Sequence, residues 1–281
     1  MKFEKYHGIG NDYLVYDCIE NKEVLSTRQI RKICSRNFGI GSDGVLMGPY
    51  TEDGEFGVRI FNPDGSEADG GGNGIRIFAK YLKDAGYTLS ERLSLNTRGG
   101  KVNVRFLNQD GTRIQTDMGQ ISFDSRDVGM SGDKREAVDE LLMFGGSEYL
   151  CTCASIGNPH CVILADEVSR EKICKIGKYS EKSSYFSAGV NTQLMKVLDR
   201  NNIQIEIFER GAGYTLASGT SGCAAAGAAF RLGLTGSDVM VHMPGGRLWV
   251  QIDEDWQVKS TGNVQRICSI ELSEEFKRAE F

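Results

Sequence analysis

The sequence predicts a strand-rich α+β fold in two similar halves, and three observations carry that expectation. Short segments rich in β-branched and aromatic residues outnumber helical ones. Strands and helices do not alternate regularly, which argues against a doubly wound sheet. A glycine-rich loop opening a helix occurs twice, around Gly71 (Gly70-Gly71-Gly72-Asn73-Gly74) and around Ser218 (Ala217-Ser218-Gly219-Thr220). These equivalent points lie 147 residues apart (218 − 71), about half of the 281-residue chain. The echo fits two similar domains facing each other with a small-molecule pocket between them. Two unrelated glycine-rich loops are the simpler alternative.

The elements follow in order. Residues 12–18, 57–61, 93–96, 102–106 and 112–118 read as strands of the first half from their β-branched and aromatic content. Residues 149–153, 161–164, 193–197, 203–208, 239–243, 247–251 and 256–261 read as strands of the second. Helical patterns cover 26–35, 74–85, 138–144 and 219–232, and Ser26 can cap the first of them.

Composition narrows the function classes. The balance of 33 Lys+Arg against 38 Asp+Glu gives a net charge of −5, with no cationic excess for a dedicated nucleic-acid binder. Charged residues at 25% and hydrophobic ones at 40% suit a packed globular protein rather than a disordered one. The least polar run, 216–232, is rich in small residues and interrupted by Arg231, so no membrane span is expected. The start lacks the apolar core of a secretory signal, and the eight cysteines read as free thiols of a reducing, cytoplasmic compartment. Glycine at 35 residues against 4 prolines suggests many turns and close backbone approaches.

The two loops are the first candidates for chemistry. A helix N-terminus carries unpaired N–H groups and partial positive charge, which suit a carboxylate. Gly72, Asn73, Gly219 and Thr220 stand in such first turns, with simple capping as the plainer role. Asparagine-centred peptides recur around Asn11, Asn62, Asn158 and Asn191; they suit an amino acid's ammonium and carboxylate together, or serve as turns. Glu209-Arg210 pairs a carboxylate with a guanidinium able to grip a ligand carboxylate in two-pronged fashion, or forms a surface ion pair. Cys151, Cys153, His160 and Cys161 lack a second ligand pair at structural-zinc spacing, so buried thiols are the better reading.

Six peptides in order resemble the diaminopimelate epimerase family of cofactor-independent amino-acid racemases and epimerases. They are the N-terminal FEKYHGIGNDY, GIGSDG from Gly39, FNPDGSEA from Phe61, GNGIR from Gly72, GNPH from Gly157 and ERGAGYTLASGT from Glu209. The resemblance implies two pseudo-symmetric domains, each a barrel-like, mostly antiparallel sheet around a central helix, divided as 1–118 plus 266–281 and 119–265. It implies a small-molecule amino-acid substrate, a diamino dicarboxylate such as diaminopimelate, in lysine biosynthesis. No cofactor, metal, nucleic acid or membrane is implied, and a homodimer is compatible with it.

In that family two cysteines serve as base and acid on opposite faces of the substrate α-carbon, one just before Gly-Asn-Gly and one just before Gly-Thr. Here those positions are Gly71 and Ser218. Cys223, inside the second helix, is a poor replacement. Asn11, Asn62, Asn158, Asn191, Glu209 and Arg210 match substrate-holding positions, whereas Tyr214 stands where the family commonly has glutamate. A positioned acid–base group typically supplies ~10²–10⁴ in rate, so losing both thiols should disable the usual reaction. Three explanations follow: a natural isomerase branch using Glu67, Asp69, His160 or water, which is favoured; a non-catalytic binding relative; or an engineered inactive form.

Overall fold

A computed structural model describes residues 1–52 and 54–278. It divides into two compact units, Met1–Thr116 with the tail from Gly262, and Asp117–Thr261.

In the first unit β1 (Lys2–Gly8) and β2 (Asn11–Asp17) form an antiparallel pair, and β2 lies parallel to β3 (Val45–Glu52). Next come β4 (Glu55–Phe61), the short β5 (Glu67–Ala68), β6 (Arg92–Thr97), β7 (Gly100–Phe106) and β8 (Arg113–Gln120). β4 pairs antiparallel with β3 and β5 and parallel with β6, and β6, β7 and β8 form a meander. The last strand β17 (Gln257–Glu271) pairs with both β8 and β1, which closes the sheet into a barrel. Helix α1 (Thr27–Cys34), capped by Ser26 and Gln29 in a reciprocal box, links β2 to β3. Helix α2 (Gly72–Asp84) runs through the barrel and is buried without a break from Gly72 to Leu82. Ile75, Ile77, Phe78 and Leu82 fill the core with Leu46, Ile60, Leu95 and Ile114. Its buried polar residues Asn73, Arg76 and Lys80 are hydrogen-bonded or ion-paired, so the whole stretch can be enclosed.

The second unit repeats this order. After the short α3 (Ser125–Val128) come β9 (Glu140–Phe144), β10 (Ser147–Ser155), β11 (Pro159–Leu164), α4 (Arg170–Ser180), β12 (Asn191–Asp199), β13 (Asn202–Glu209) and β14 (Gly213–Thr215). Helix α5 (Gly219–Arg231), β15 (Asp238–Met243), β16 (Gly246–Ile252) and the first part of β17 complete it. The short α6 (Glu274–Arg278) belongs to the tail. The parallel pair β11–β12 aligns Cys161 with Thr192 as β2–β3 aligns Leu14 with Val45, and Thr192–Phe208 answers Val45–Phe61. Each correspondence carries the same 147-residue offset as Gly71 and Ser218. Bonds from Ile121 N to Trp256 O (3.0 Å) and between Ser122 and Ser155 close this sheet as well. Helix α5 is built from small residues that let the strands approach: a Cβ on Gly227 would stand 2.3 Å from Ile121 Cδ1.

Two readings of the sequence need correction or addition. Residues 138–144, expected as a helix, instead hold β9 (Glu140–Phe144), in which Leu142 and Phe144 are buried while Leu141 and Met143 are exposed. That period of two, followed by Gly145-Gly146 at positive φ, makes a hairpin with β10. Helix α4 lies outside the expected elements, because only Ile173, Ile176, Gly177 and Ser180 of its eleven residues are buried. All eight cysteines are free. Among the described residues no helix is long and apolar enough to cross a membrane.

Candidate functional site

In the first unit β5 leads directly into the start of α2. Gly71 occupies the N-cap with extended backbone (φ 177°, ψ 117°) and no side chain caps the helix. The helix begins with a 2.9 Å bond from Ile75 N to Gly71 O, which leaves the N–H groups of Gly72, Asn73 and Gly74 outside the intrahelical ladder. A Cβ on Gly71 would meet nothing within 4 Å. The position therefore has room for a side chain and lacks one.

Asn73 and Asn11 are tied together beside this turn. Asn73 Nδ2 donates to Asn11 Oδ1 (3.3 Å), Asn11 Nδ2 donates to Asp43 Oδ2 (2.9 Å), and the buried Arg76 donates to Asn73 Oδ1. Arg36 bridges Asp43 and Asp12, and Lys5 lies 3.0 Å from Asp12. Burial opposes ionisation of Asp12, but Arg36 and Lys5 hold its carboxyl below the usual range. These two asparagines are thus braced by charges.

Asn62 sits in a tight turn, its Nδ2 donating to Ser66 Oγ at 3.0 Å. Glu67 is gripped by Arg59 through two bonds of 2.9 and 2.7 Å, and that guanidinium holds its carboxyl below the ordinary range. Asp69 is exposed over 78% of its side chain and lies 3.2 Å from Arg98. Of the two carboxylates, only Asp69 is open to solvent on the loop that leads to Gly71.

The second unit presents the matching features on different chemistry. Ser218 is the N-cap of α5, only 6% exposed, and its Oγ accepts from Ser221 N at 3.4 Å. Thr220 Oγ1 lies 3.5 Å from Ser218 Oγ, and Gly219 is buried in the same turn. Asn158 immediately precedes β11, and the register of β11 against β12 sets His160 opposite Asn191. Asn191 Nδ2 donates to Pro159 O (3.0 Å) and its Oδ1 accepts from Arg210 N (3.0 Å), so one side chain joins β11 to the turn after β13. Glu209 closes β13, and Arg210 follows, exposed, with Nη1 donating to Ala188 O at 2.8 Å. That bond leaves the Nε–Nη2 edge of the guanidinium for a two-pronged contact.

His160 is completely buried, with both ring nitrogens engaged. Its Nε2 lies 2.8 Å from Asn158 Oδ1, and Gln193 Nε2 lies 3.2 Å from its Nδ1. Gln193 Nε2 also donates to Ser221 Oγ at 3.0 Å. Burial pushes the His160 pKa down to about 3, so the ring is neutral at ordinary pH. Tyr214 turns to the α4 side: its hydroxyl donates to Glu206 Oε2 (2.9 Å) and Arg170 lies 4.7 Å over its ring. Cys151, Cys153 and Cys161 are buried in an apolar cluster, and hydrogen bonds among them with burial raise the Cys161 thiol well above its usual range.

Sequence reasoning missed Gln193, Ser221, Asp43 and Arg76. A comparison of the two halves at the 147-residue offset would have exposed Gln193 and Ser221, because Leu46 and Gly74 stand at the corresponding positions.

The family model for diaminopimelate epimerase matches residues 3–123 and 152–267. Diaminopimelate epimerase 2 of Nostoc is 48% identical over 276 residues, 98% of this chain and 96% of the relative. The diaminopimelate epimerase of Moorella thermoacetica is 35% identical over 89% of this chain and 91% of its own. Among solved structures, a hydroxyproline epimerase from Agrobacterium vitis shares the fold with a TM-score of 0.70 at 13% identity, covering 96% of this chain and 91% of that one. A phenazine biosynthesis protein from Bacillus anthracis does so with a TM-score of 0.68 at 15% identity, covering 97% and 99%.

Proposed function

The chain belongs to the diaminopimelate epimerase family, and from that premise we propose that it is a cofactor-independent isomerase acting at the α-carbon of an amino acid, with diaminopimelate the first substrate to test. The observation that carries this reading is the repeated placement of Gly71 and Ser218 as N-caps of two equivalent helices, each with an asparagine (Asn11, Asn158) at the same distance before it. Removing an α-proton leaves negative charge that spreads onto the α-carboxylate. Helix N-terminal N–H groups stabilise such charge without reorganising.

The proton-transfer groups are the part in which this chain departs from a two-thiol mechanism. Gly71 brings no acid or base, and a serine hydroxyl at 218 is a far weaker base than a thiolate near neutral pH. Glu67 is committed to Arg59 and His160 is buried and neutral. Asp69 and solvent on the Gly71 side, and Ser218 Oγ on the other, are the groups assigned to the reaction. Turnover is correspondingly slow. Arg210 and Asn191 recognise the carboxylate end of the substrate, and Asn11, Asn62, Asn158 and Glu209 complete its binding.

The same departures favour a second reading, an amino-acid-binding relative without catalysis, since neither replaced position carries a group titrating near neutrality. Chiral chromatography of LL-diaminopimelate incubated with the purified protein, with no added cofactor, separates them. Conversion to the meso form is expected. Tight binding by calorimetry with no conversion would establish the binding relative instead.

A further inference from the structure

The buried chain Ser221–Gln193–His160 in the second unit is not something this fold requires. The corresponding residues of the first unit are Gly74, Leu46 and Tyr13, and they also meet: a Cβ on Gly74 would stand 3.2 Å from Leu46 Cδ2 and 3.9 Å from Tyr13 Cζ. One unit thus closes this place with a leucine methyl and a tyrosine ring, while the other closes it with three fully buried polar side chains that bond one another. Burying polar groups is unfavourable unless each is hydrogen-bonded, and Gln193 Oε1 has no hydrogen-bond partner among the described residues. A chain that is both dispensable to the fold and incompletely satisfied points to a task outside stability.

The direction of its hydrogen bonds identifies that task. Asn158 Oδ1 can only accept, so the 2.8 Å contact requires the proton on His160 Nε2. The neutral ring then offers Nδ1 as an acceptor, and the Gln193 amide donates to it while giving its second N–H to Ser221 Oγ. Gln193 is the donor at the head of both branches, and the branch through His160 ends on Asn158 Oδ1, which leaves both N–H groups of that amide to donate. With Gln193 turned over, each link would reverse: Nδ1–H would donate to Oε1, Nε2 would accept from Asn158 Nδ2, and Asn158 would present its carbonyl oxygen.

We infer that Ser221, Gln193 and His160 are positioning residues that hold the Asn158 amide with its N–H groups towards the ligand, so that this position takes a carboxylate oxygen and rejects an ammonium. The inference rests on the proposed role of Asn158 in substrate binding. The test combines two readouts on the parent, Gln193→Glu and Gln193→Leu. Nitrogen-15 NMR of the ring reports the His160 tautomer, and calorimetry with meso-diaminopimelate reports affinity. Glutamate keeps the shape but only accepts when ionised, and leucine is what the first unit uses at Leu46.

The parent should show the Nε2–H tautomer. Gln193→Glu should shift it to Nδ1–H and weaken binding about tenfold or more, the scale of losing one hydrogen bond to a charged group. Gln193→Leu should melt as cooperatively as the parent, mix the two tautomers and bind more weakly. An Nδ1–H tautomer in the parent, or a folded Gln193→Leu variant binding as tightly as the parent, would overturn the inference. Failure of the parent to bind meso-diaminopimelate would instead contradict the proposed function, and the tautomer spectra would still decide the direction of the chain.

Discussion

Helices α2 and α5 occupy equivalent places in their units and have the same length, yet their first turns are finished differently. At α2 the cap is a bare glycine, and the neighbouring asparagines are braced by charge through Asp43 and Arg76. At α5 the cap is a serine that closes its own helix, and the neighbouring asparagine is braced by a neutral chain through His160 and Gln193. The two halves share a fold and the placement of these asparagines while differing in the charges around them. Pseudo-symmetry therefore constrains where backbone N–H groups and asparagines stand, and leaves the supporting chemistry of each half free to diverge.

The largest test of this comparison restores an equal acid–base group to both caps. Gly71→Cys with Ser218→Cys should raise epimerisation of diaminopimelate by ~10² or more, since each positioned group typically contributes ~10²–10⁴. Either single change should do much less, because inversion needs one proton removed and another delivered. A Cβ at Gly71 meets nothing within 4 Å, so a folded double variant that binds without any gain would show that the two caps are not the deciding difference. A smaller effect is expected at Arg210. Arg210→Lys should weaken meso-diaminopimelate binding about tenfold or more in calorimetry, because an ammonium cannot reproduce a planar two-pronged grip. Equal affinity would remove Arg210 from the binding shell.

The neutral bracing of the second half makes its own pH prediction. His160 has a folded pKa of about 3 against an ordinary value of 6.5, so between those values the unfolded chain binds the extra proton. Stability from this group is complete above pH 6.5 and is lost as pH falls, by about 2 kcal/mol between pH 7 and pH 5. Denaturant titrations of the parent and His160→Gln should show that acid-side slope only in the parent. Identical slopes would mean the ring is not buried as a neutral group. The smallest effects concern the caps themselves. Ser218→Ala should cost about 1 kcal/mol, whereas Gly71→Ser should gain only a few tenths, since glycine is already a fair N-cap. Thermal melts of the two variants would sharpen the contrast between the helix starts.

Much of this organisation is legible in the amino-acid sequence. The paired glycine loops at Gly71 and Ser218 and most strands follow from local composition, because turns and β-branched runs report local backbone preference. Residues 138–144 mislead because four apolar side chains in five positions suit either period, and only their alternating burial against β10 decides for a strand. Helix α4 escapes notice because its buried face is narrow. Among the candidate binding residues, Asn11, Asn158 and Arg210 stand out by motif, whereas Gln193 sits inside an ordinary β-strand. Its meaning arises only when β11, β12 and α5 bring His160, Gln193 and Ser221 together, a non-local event that no window of sequence contains.

The central claim, that this chain moves a proton at an amino-acid α-carbon despite Gly71 and Ser218, is tested most directly by deuterium wash-in. Meso-diaminopimelate is incubated with the unaltered protein in deuterated water without added cofactor, and the Cα–H signal is followed by proton NMR. The account predicts loss of that signal at a rate proportional to protein concentration, slower than with the double cysteine variant and several-fold slower again in Arg210→Lys at a ligand concentration below saturation. Saturated binding by the unaltered protein with a Cα–H signal that never decays would contradict it.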